Sequence, residues 1–123
     1  MNRNELEKRT KLFHTNVIKI CQYLPKNAAG FEIGKQLIRS AGSVGSNYRA
    51  TKRAKSDGDF IYKIEVVLEE SDESLYWLEV IKESELLRGQ LLDELIIEAN
   101  ELTAIFAATD KTAKANREKD KKK

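Results

Sequence analysis

The sequence is organised by apolar residues that recur every three or four positions, with charged residues between them. This spacing is that of one face of an α-helix. Four segments carry it, at residues 4–24, 34–48, 60–86 and 91–106. No segment shows the strict alternation of a β-strand, so the pattern predicts an all-α chain. The short connections favour an antiparallel up-down-up-down four-helix bundle.

A run of small residues, RSAGSVGSNYR at 39–49, interrupts the usual composition of a helix. The three-four apolar spacing nevertheless continues through it, and the Gly-x-x-x-x-Gly-Lys-Ser/Thr spacing of a phosphate-binding loop is absent. We therefore interpret the run as helix. Because a glycine inside a helix costs about 1 kcal/mol relative to alanine, Gly42 and Gly45 predict a seam where another backbone approaches closely.

The net charge of +2 hides a strong segregation of charge along the chain. Residues 25–56 carry seven basic side chains and one acidic one, whereas residues 57–87 carry two basic and ten acidic ones. Residues 111–123 are again basic, with seven positive and two negative side chains. Segregation of this kind favours contact between elements of opposite charge, within one chain or between chains.

The chain divides into a bundle domain at residues 1–110 and a basic tail at residues 111–123. The tail has no apolar side chain larger than alanine. It cannot bury enough surface to offset the entropy lost on ordering, so the sequence predicts that it is disordered.

The acidic third segment and the second segment would face each other in a hairpin. That arrangement places Ser43 opposite Glu70, and it places Arg39 and Ser40 opposite Glu73 or Ser74. A metal site built from the glutamates would need the Glu-x-x-His pairs of di-metal bundles, which the chain lacks. We therefore predict a structural network of charge-assisted hydrogen bonds inside the glycine-lined seam. Its members are Arg39, Ser43, Asn47, Glu70 and Glu73.

The second segment ends in a basic run formed by Arg49, Lys52, Arg53 and Lys55. Spacings of three and four place the first three on one exposed side of a helix. Such a patch can bind the phosphates of a nucleic acid, with assistance from the basic tail. A solvated helix end whose cations complement the helix dipole explains the same residues equally well. Both interpretations stay open at this point.

Apolar residues also lie off the main face of the third and fourth segments. A monomeric bundle has no reason to expose them, so we expect a homo-oligomer. The predicted interface residues are Val66, Trp77, Val80, Leu92 and Ile96.

The sequence offers little for catalysis, because His14 is the only histidine and no nucleophile accompanies it. We expect no enzyme, no cofactor and no metal. The lone Cys21 suits a reducing compartment, and no apolar run of about 18 residues is present, so we expect a cytoplasmic chain without a membrane partner.

Two blocks resemble a known family, the 23S rRNA intervening-sequence proteins, which are also called four helix bundle or S23 ribosomal protein-like proteins. They are QLIRSAGSVGSNYRA at 36–50 and DFIYKIEVVLEESDESLYWL at 59–78. The resemblance extends from about residue 10 to residue 107. The family typically has a glutamate soon after the asparagine, whereas Arg49, Ala50 and Thr51 follow Asn47 here. This departure makes the patch more basic.

The resemblance implies a four-helix bundle that assembles as a homopentameric ring. The chain is also similar to the accessory variability proteins of retroelements, which bind a reverse transcriptase and nucleic acid. We therefore expect a non-enzymatic oligomer that binds RNA or other nucleic acid, such as DNA. The alternative is a protein-binding scaffold or accessory subunit, for example of a reverse transcriptase, with no direct nucleic-acid contact.

Overall fold

The computed structural model describes residues 1–122, so Lys123, the last residue of the predicted tail, lies outside it. The described part of the chain contains helices and no β-strand, which confirms the predicted all-α class. In chain order the elements are α1 (Arg3–Cys21), α2 (Ala28–Ala50), one turn of 3₁₀ helix (Thr51–Arg53), α3 (Asp57–Glu83) and α4 (Gln90–Lys121).

Polar side chains cap three of the four helices at their N termini. Asn2, Asn27 and Ser56 each accept a hydrogen bond from a backbone N–H in the first turn, at 2.9 to 3.0 Å. Such caps satisfy donors that have no partner within the helix. Helix α4 instead follows Gly89, whose φ of 140° lies in the region that favours glycine.

Helix α2 begins at Ala28, six residues before the apolar segment at 34–48 that the sequence indicates. The reason is a contact at Gly30, which packs against the chain just after α1. A Cβ at this position would lie 1.9 Å from the carbonyl oxygen of Pro25. Only glycine fits there, and its presence in the first turn therefore marks a close crossing rather than a loop.

One apolar stripe on each helix faces a single core. Consecutive helices pack against each other along their lengths, and α1 also meets α4. In that last contact Arg9 donates to Glu98 at 2.7 Å and pairs with Glu101. The largest fully buried apolar side chains are Phe13, Val17, Leu37, Val44, Ile64, Val67, Leu78, Ile81, Leu92, Leu102 and Phe106.

The rotation of α4 about its own axis differs from the sequence-based expectation. Leu92 is 1% exposed and belongs to the core, whereas Leu91 is 61% exposed. The assignment of Leu92 to an oligomer interface is therefore wrong. Positions 92, 95, 99, 102 and 106 keep an alternating three-four spacing over the whole helix, and that longer series decides which face is buried.

Helix α4 continues to Lys121, although the sequence predicts disorder throughout the tail. Lys114 pairs with Glu65 of α3 at 3.2 Å. The guanidinium of Arg117 lies beside the first turn of α3, 3.1 Å from where a Cβ on Gly58 would stand. The prediction of disorder considered the segment alone and missed these partners on α3.

The glycine seam of α2 faces α1. A Cβ on Gly45 would lie 3.5 Å from the carbonyl oxygen of Thr10, which is ordinary van der Waals contact with the α1 backbone. A Cβ on Gly42 would lie 2.9 Å from Nε2 of His14. The seam therefore allows α1 and α2 to approach closely, and a Cβ at position 45 would already touch the α1 backbone.

This geometry predicts opposite effects for two substitutions at Gly45. Gly45→Ala adds a Cβ that the site accepts, so the better helix former should raise the free energy of unfolding by up to about 1 kcal/mol. Gly45→Leu should lower it by about 1–3 kcal/mol, because the extra atoms press on the α1 backbone. Thermal unfolding followed by circular dichroism measures both. Equal stability of the two variants would contradict the seam.

Candidate nucleic-acid interface

The antiparallel order of the helices collects basic segments at one end of the bundle. The start of α1, the end of α2, the start of α3 and the end of α4 all lie there, because chain direction alternates between neighbours. We call this region the basic end. Its cationic side chains include Arg3, Lys8, Arg9, Lys11, Arg49, Lys52, Arg53, Lys55, Lys111, Lys114, Arg117, Lys119 and Lys121.

The four residues predicted to bind phosphates are all exposed at this end. Arg49 lies in the last turn of α2, Lys52 and Arg53 lie in the 3₁₀ turn, and Lys55 lies in the connection to α3. Lys52 pairs with Glu7 of α1 at 3.1 Å, so part of its charge is met within the chain. The structure therefore brings the predicted patch together and adds a contact to α1.

A carboxylate holds the corner between α2 and α3 in place. Asp59 accepts hydrogen bonds from the backbone N–H of Lys55 at 3.0 Å and from Nζ of Lys63 at 2.7 Å. The bond from Lys63, followed by that from Lys55, lowers the pKa of Asp59. Asp59 is therefore ionised at neutral pH. Its two interactions would be lost only as acid protonates the carboxylate.

Tyr48, the aromatic residue directly before the predicted patch, is engaged within the fold. Tyr48 is buried, and the guanidinium of Arg3 stacks 4.9 Å from the centre of its ring. Arg3 also donates to the carbonyl oxygen of Tyr48 at 3.1 Å and to Oγ1 of Thr51 at 2.6 Å. Tyr48 is thus part of the helix packing and is not available to stack on a base.

A groove between α1 and α2 forms the concave part of the basic end. It encloses about 530 Å³ and is called the α1–α2 groove below. Helix α1 contributes one wall, the end of α2 the other, and small residues the floor. Its lining is Glu7, Lys8, Lys11, His14, Gly42, Gly45, Ser46, Arg49, Ala50, Lys52 and Arg53.

Sequence reasoning missed the α1 wall of this groove. Lys8 and Lys11 are three residues apart, which places them near each other on one side of a helix, and this signal is present in the sequence. What the sequence does not show is that α1 packs beside the end of α2. Among the described residues, Lys8, Lys11, Arg49 and Arg53 form no ion pair with a carboxylate.

The predicted structural network lies elsewhere, on the side of α2 that faces α3. Nη1 of Arg39 is 3.2 Å from Glu70, and the same guanidinium contacts Glu73. Nε1 of Trp77 donates to Glu73 at 3.1 Å. The bond from Arg39 to Glu73, followed by the charge of Glu70, raises the pKa of Arg39. Because the glycines of α2 face α1, the placement of this network inside the glycine-lined seam is wrong.

Two other members of the predicted network bond within their own helix. Nδ2 of Asn47 donates to the carbonyl oxygen of Ser43 at 2.9 Å, and neither hydrogen-bonds to Glu70. The buried link between α2 and α3 is instead a hydrogen bond of 2.9 Å from Ser74 to Ser40. Small hydroxyl side chains therefore fix the register of these two helices.

The predicted interface residues of α3 and α4 are half-buried within the single chain. They are Val66, Trp77, Val80 and Ile96. Apolar and aromatic side chains at other positions are more exposed than these four. The side chains concerned are Leu12, Tyr23, Phe31, Tyr62, Tyr76, Leu91 and Ile97.

Few side chains in the described part of the chain could act in catalysis or bind a metal. His14 is half-buried at the end of the α1–α2 groove. Burial raises the pKa of the Cys21 thiol to about 11. No three histidine, cysteine or carboxylate side chains within residues 1–122 are grouped as a metal site would require. None of the described helices is long and apolar enough to span a bilayer.

Comparison with known proteins places this arrangement in a family. The model of the 23S rRNA-intervening sequence protein family matches residues 2–108. The chain belongs to this family. The match covers all four helices up to residue 108 and leaves the last turns of α4 outside.

A solved structure supports the same assignment. The chain resembles the crystal structure, at 1.70 Å resolution, of a protein of unknown function from the S23 ribosomal protein family of Bacteroides thetaiotaomicron VPI-5482. The two are 26% identical with a TM-score of 0.80, and the alignment covers 90% of this chain and 99% of the other. A comparison with curated proteins finds no match.

Proposed function

We propose that the protein is a non-enzymatic nucleic-acid-binding bundle whose basic end contacts the phosphates of RNA. The observation that carries this proposal is the collection of separate basic segments at one end, around a groove whose main cations have no ion-pair partner among the described residues. Counterion release from phosphates is the main source of affinity for such surfaces. The description of the family, which refers to an intervening sequence of 23S rRNA, supports RNA as the ligand.

The proposal includes assembly of the chain as a homo-oligomer, for which we adopt the pentameric ring. Half-buried apolar side chains on α3 and α4, together with exposed ones such as Leu91 and Ile97, support contact between copies. A ring would repeat the basic end and so strengthen weak binding at each copy through avidity. The lone Cys21 supports placement in the reducing cytoplasm.

A second candidate function is that of a scaffold that binds another protein. It is favoured by the outer face of α3, where exposed Tyr62 and Tyr76 stand among acidic residues. Tyrosine is enriched in protein interfaces. This face does not suit phosphate binding, because its carboxylates would repel RNA. Salt-dependent retention of RNA separates the two functions.

Neutralising the predicted patch should weaken RNA binding. Replacement of Arg49, Lys52 and Arg53 by glutamine removes three cations from the basic end. For a single strand, the slope of log affinity against log salt falls by about 0.7 per lost contact, so the slope should decrease by about 2. Filter binding of an oligouridylate at several salt concentrations measures it.

The matched control for this triple variant replaces Lys19, Lys26 and Lys35 by glutamine. These residues are exposed and lie towards the opposite end of the bundle. The control changes the net charge equally, so it should keep most of the affinity. Equal retention of RNA by the unmodified protein, the triple variant and the control would contradict the proposal and favour the scaffold.

Assembly is tested by the mass of the protein in solution. Multi-angle light scattering should give a mass several times that of one 14.0 kDa chain. Trp77→Ala or Ile96→Glu should lower that mass, while Lys35→Gln should not. Circular dichroism of each variant verifies that its helices persist. A single-chain mass for the unmodified protein would contradict assembly.

A further inference from the structure

We propose that the α1–α2 groove holds one unpaired nucleic-acid strand by its phosphates, with Lys8 and Lys11 as binding residues. This inference rests on the proposed function and adds to it the strand state of the ligand and a second wall of contacts. Neither the family description nor the sequence motifs point to α1 for this role. The residues that the fold places on the two sides of the groove support this role.

The α1 wall presents a row of nitrogen donors along the groove. Lys8, Lys11 and His14 follow one another at steps of three residues and all line the cavity. With a rise of 1.5 Å per residue, the row is about 9 Å long. Lys8 and Lys11 are exposed. Their ammonium groups can therefore follow a phosphate chain that runs along α1.

The α2 wall provides cations that face the same space. Arg49 and Arg53 line the groove from the end of α2 and the following turn. A guanidinium can hold a phosphate through two parallel hydrogen bonds, which gives a geometric fit that a lysine lacks. A strand in the groove would thus be contacted from both sides, by lysines on one and by arginines on the other.

The floor of the groove leaves space for the strand. It is formed by small residues of α2, namely Gly42, Gly45, Ser46 and Ala50. Ser46 is exposed and offers a hydroxyl donor. Any long side chain on this face of α2 would fill the groove. The small residues therefore leave space for the ligand, and they also allow α1 to pack closely against α2.

The width of the groove favours a single strand over a duplex. Its walls belong to two neighbouring helices in contact, whose axes typically lie about 8–10 Å apart. An RNA duplex is wider than this, since its two phosphate chains are separated by a wide, shallow minor groove. A duplex would touch only the rims, whereas one phosphodiester chain can enter and meet both walls.

The lining also predicts that the backbone, and not the base sequence, is recognised. Among the described residues that line the groove, the only aromatic ring is the imidazole of His14. Base stacking on aromatic side chains is the usual source of affinity for unpaired bases. With cations on both walls and no such platform, binding should depend on salt much more than on sequence.

The test uses the double variant Lys8→Gln/Lys11→Gln in the full chain. The probes are an oligouridylate and an RNA duplex of matched length. The slope of log affinity against log salt for the oligouridylate should fall by about 1.4, which corresponds to two contacts. The duplex should lose less. The control of equal charge is Lys19→Gln/Lys26→Gln, in the last turn of α1 and in the connection that follows it, and it should match the unmodified protein.

A second variant tests the groove by a different route. Ser46→Asp places a carboxylate on the floor without removing any cation, and position 46 is exposed, so the helix should tolerate it. Repulsion of phosphate should weaken oligouridylate binding at low salt and have less effect at high salt. Unchanged binding by this variant would overturn the groove as the site.

The outcomes separate this inference from the proposed function. If the double variant binds like the unmodified protein while the glutamine variant of Arg49, Lys52 and Arg53 is weakened, the groove inference is overturned and the proposed function stands. If duplex and oligouridylate lose equally, the single-strand preference is overturned. If the double variant changes only the mass by light scattering, the groove is a contact between copies. Absence of RNA binding by the unmodified protein overturns both.

Discussion

Burial of one apolar stripe on each helix sets how far every helix is rotated about its own axis, and the surface follows from that rotation. On α2, burial of Leu37 and Val44 turns the glycines towards α1 and Arg39 towards α3. On α4, the same constraint buries Leu92 and exposes Leu91. Because packing decides the rotation, the outward charges take positions that no single segment determines by itself.

The alternating direction of the helices then determines the electrostatics. Basic segments that are far apart in the sequence meet at one end because α1 and α3 begin where α2 and α4 end. Some of these cations hold the fold together, as Arg3 does on Tyr48 and as Lys114 does on Glu65. Other cations form no ion pair among the described residues, and these line the α1–α2 groove. This division separates the cations that stabilise the fold from those that we propose to bind the ligand.

The sequence predicts the helices and the family well, because the spacing of apolar residues and the two blocks at 36–50 and 59–78 are local properties of the sequence. It also locates the basic run at the end of α2. It misses Lys8 and Lys11, since their relation to Arg49 depends on which helices become neighbours. It errs on the tail for the same reason, because Arg117 finds its contact on α3, far away in the sequence. Contacts between helices are what composition and spacing leave undetermined.

The central claim is that the basic end is the surface that meets nucleic acid, and mapping of contacts tests it most directly. Ultraviolet cross-linking of the full chain to an oligouridylate, followed by mass spectrometry of its peptides, reports which segments touch the ligand. The account predicts cross-links on α1 around Lys8 to His14 and on the stretch from Ser46 to Lys55, and few on α3 beyond its first turns. Cross-links concentrated on the acidic outer face of α3, or an even distribution over the whole chain, would contradict it.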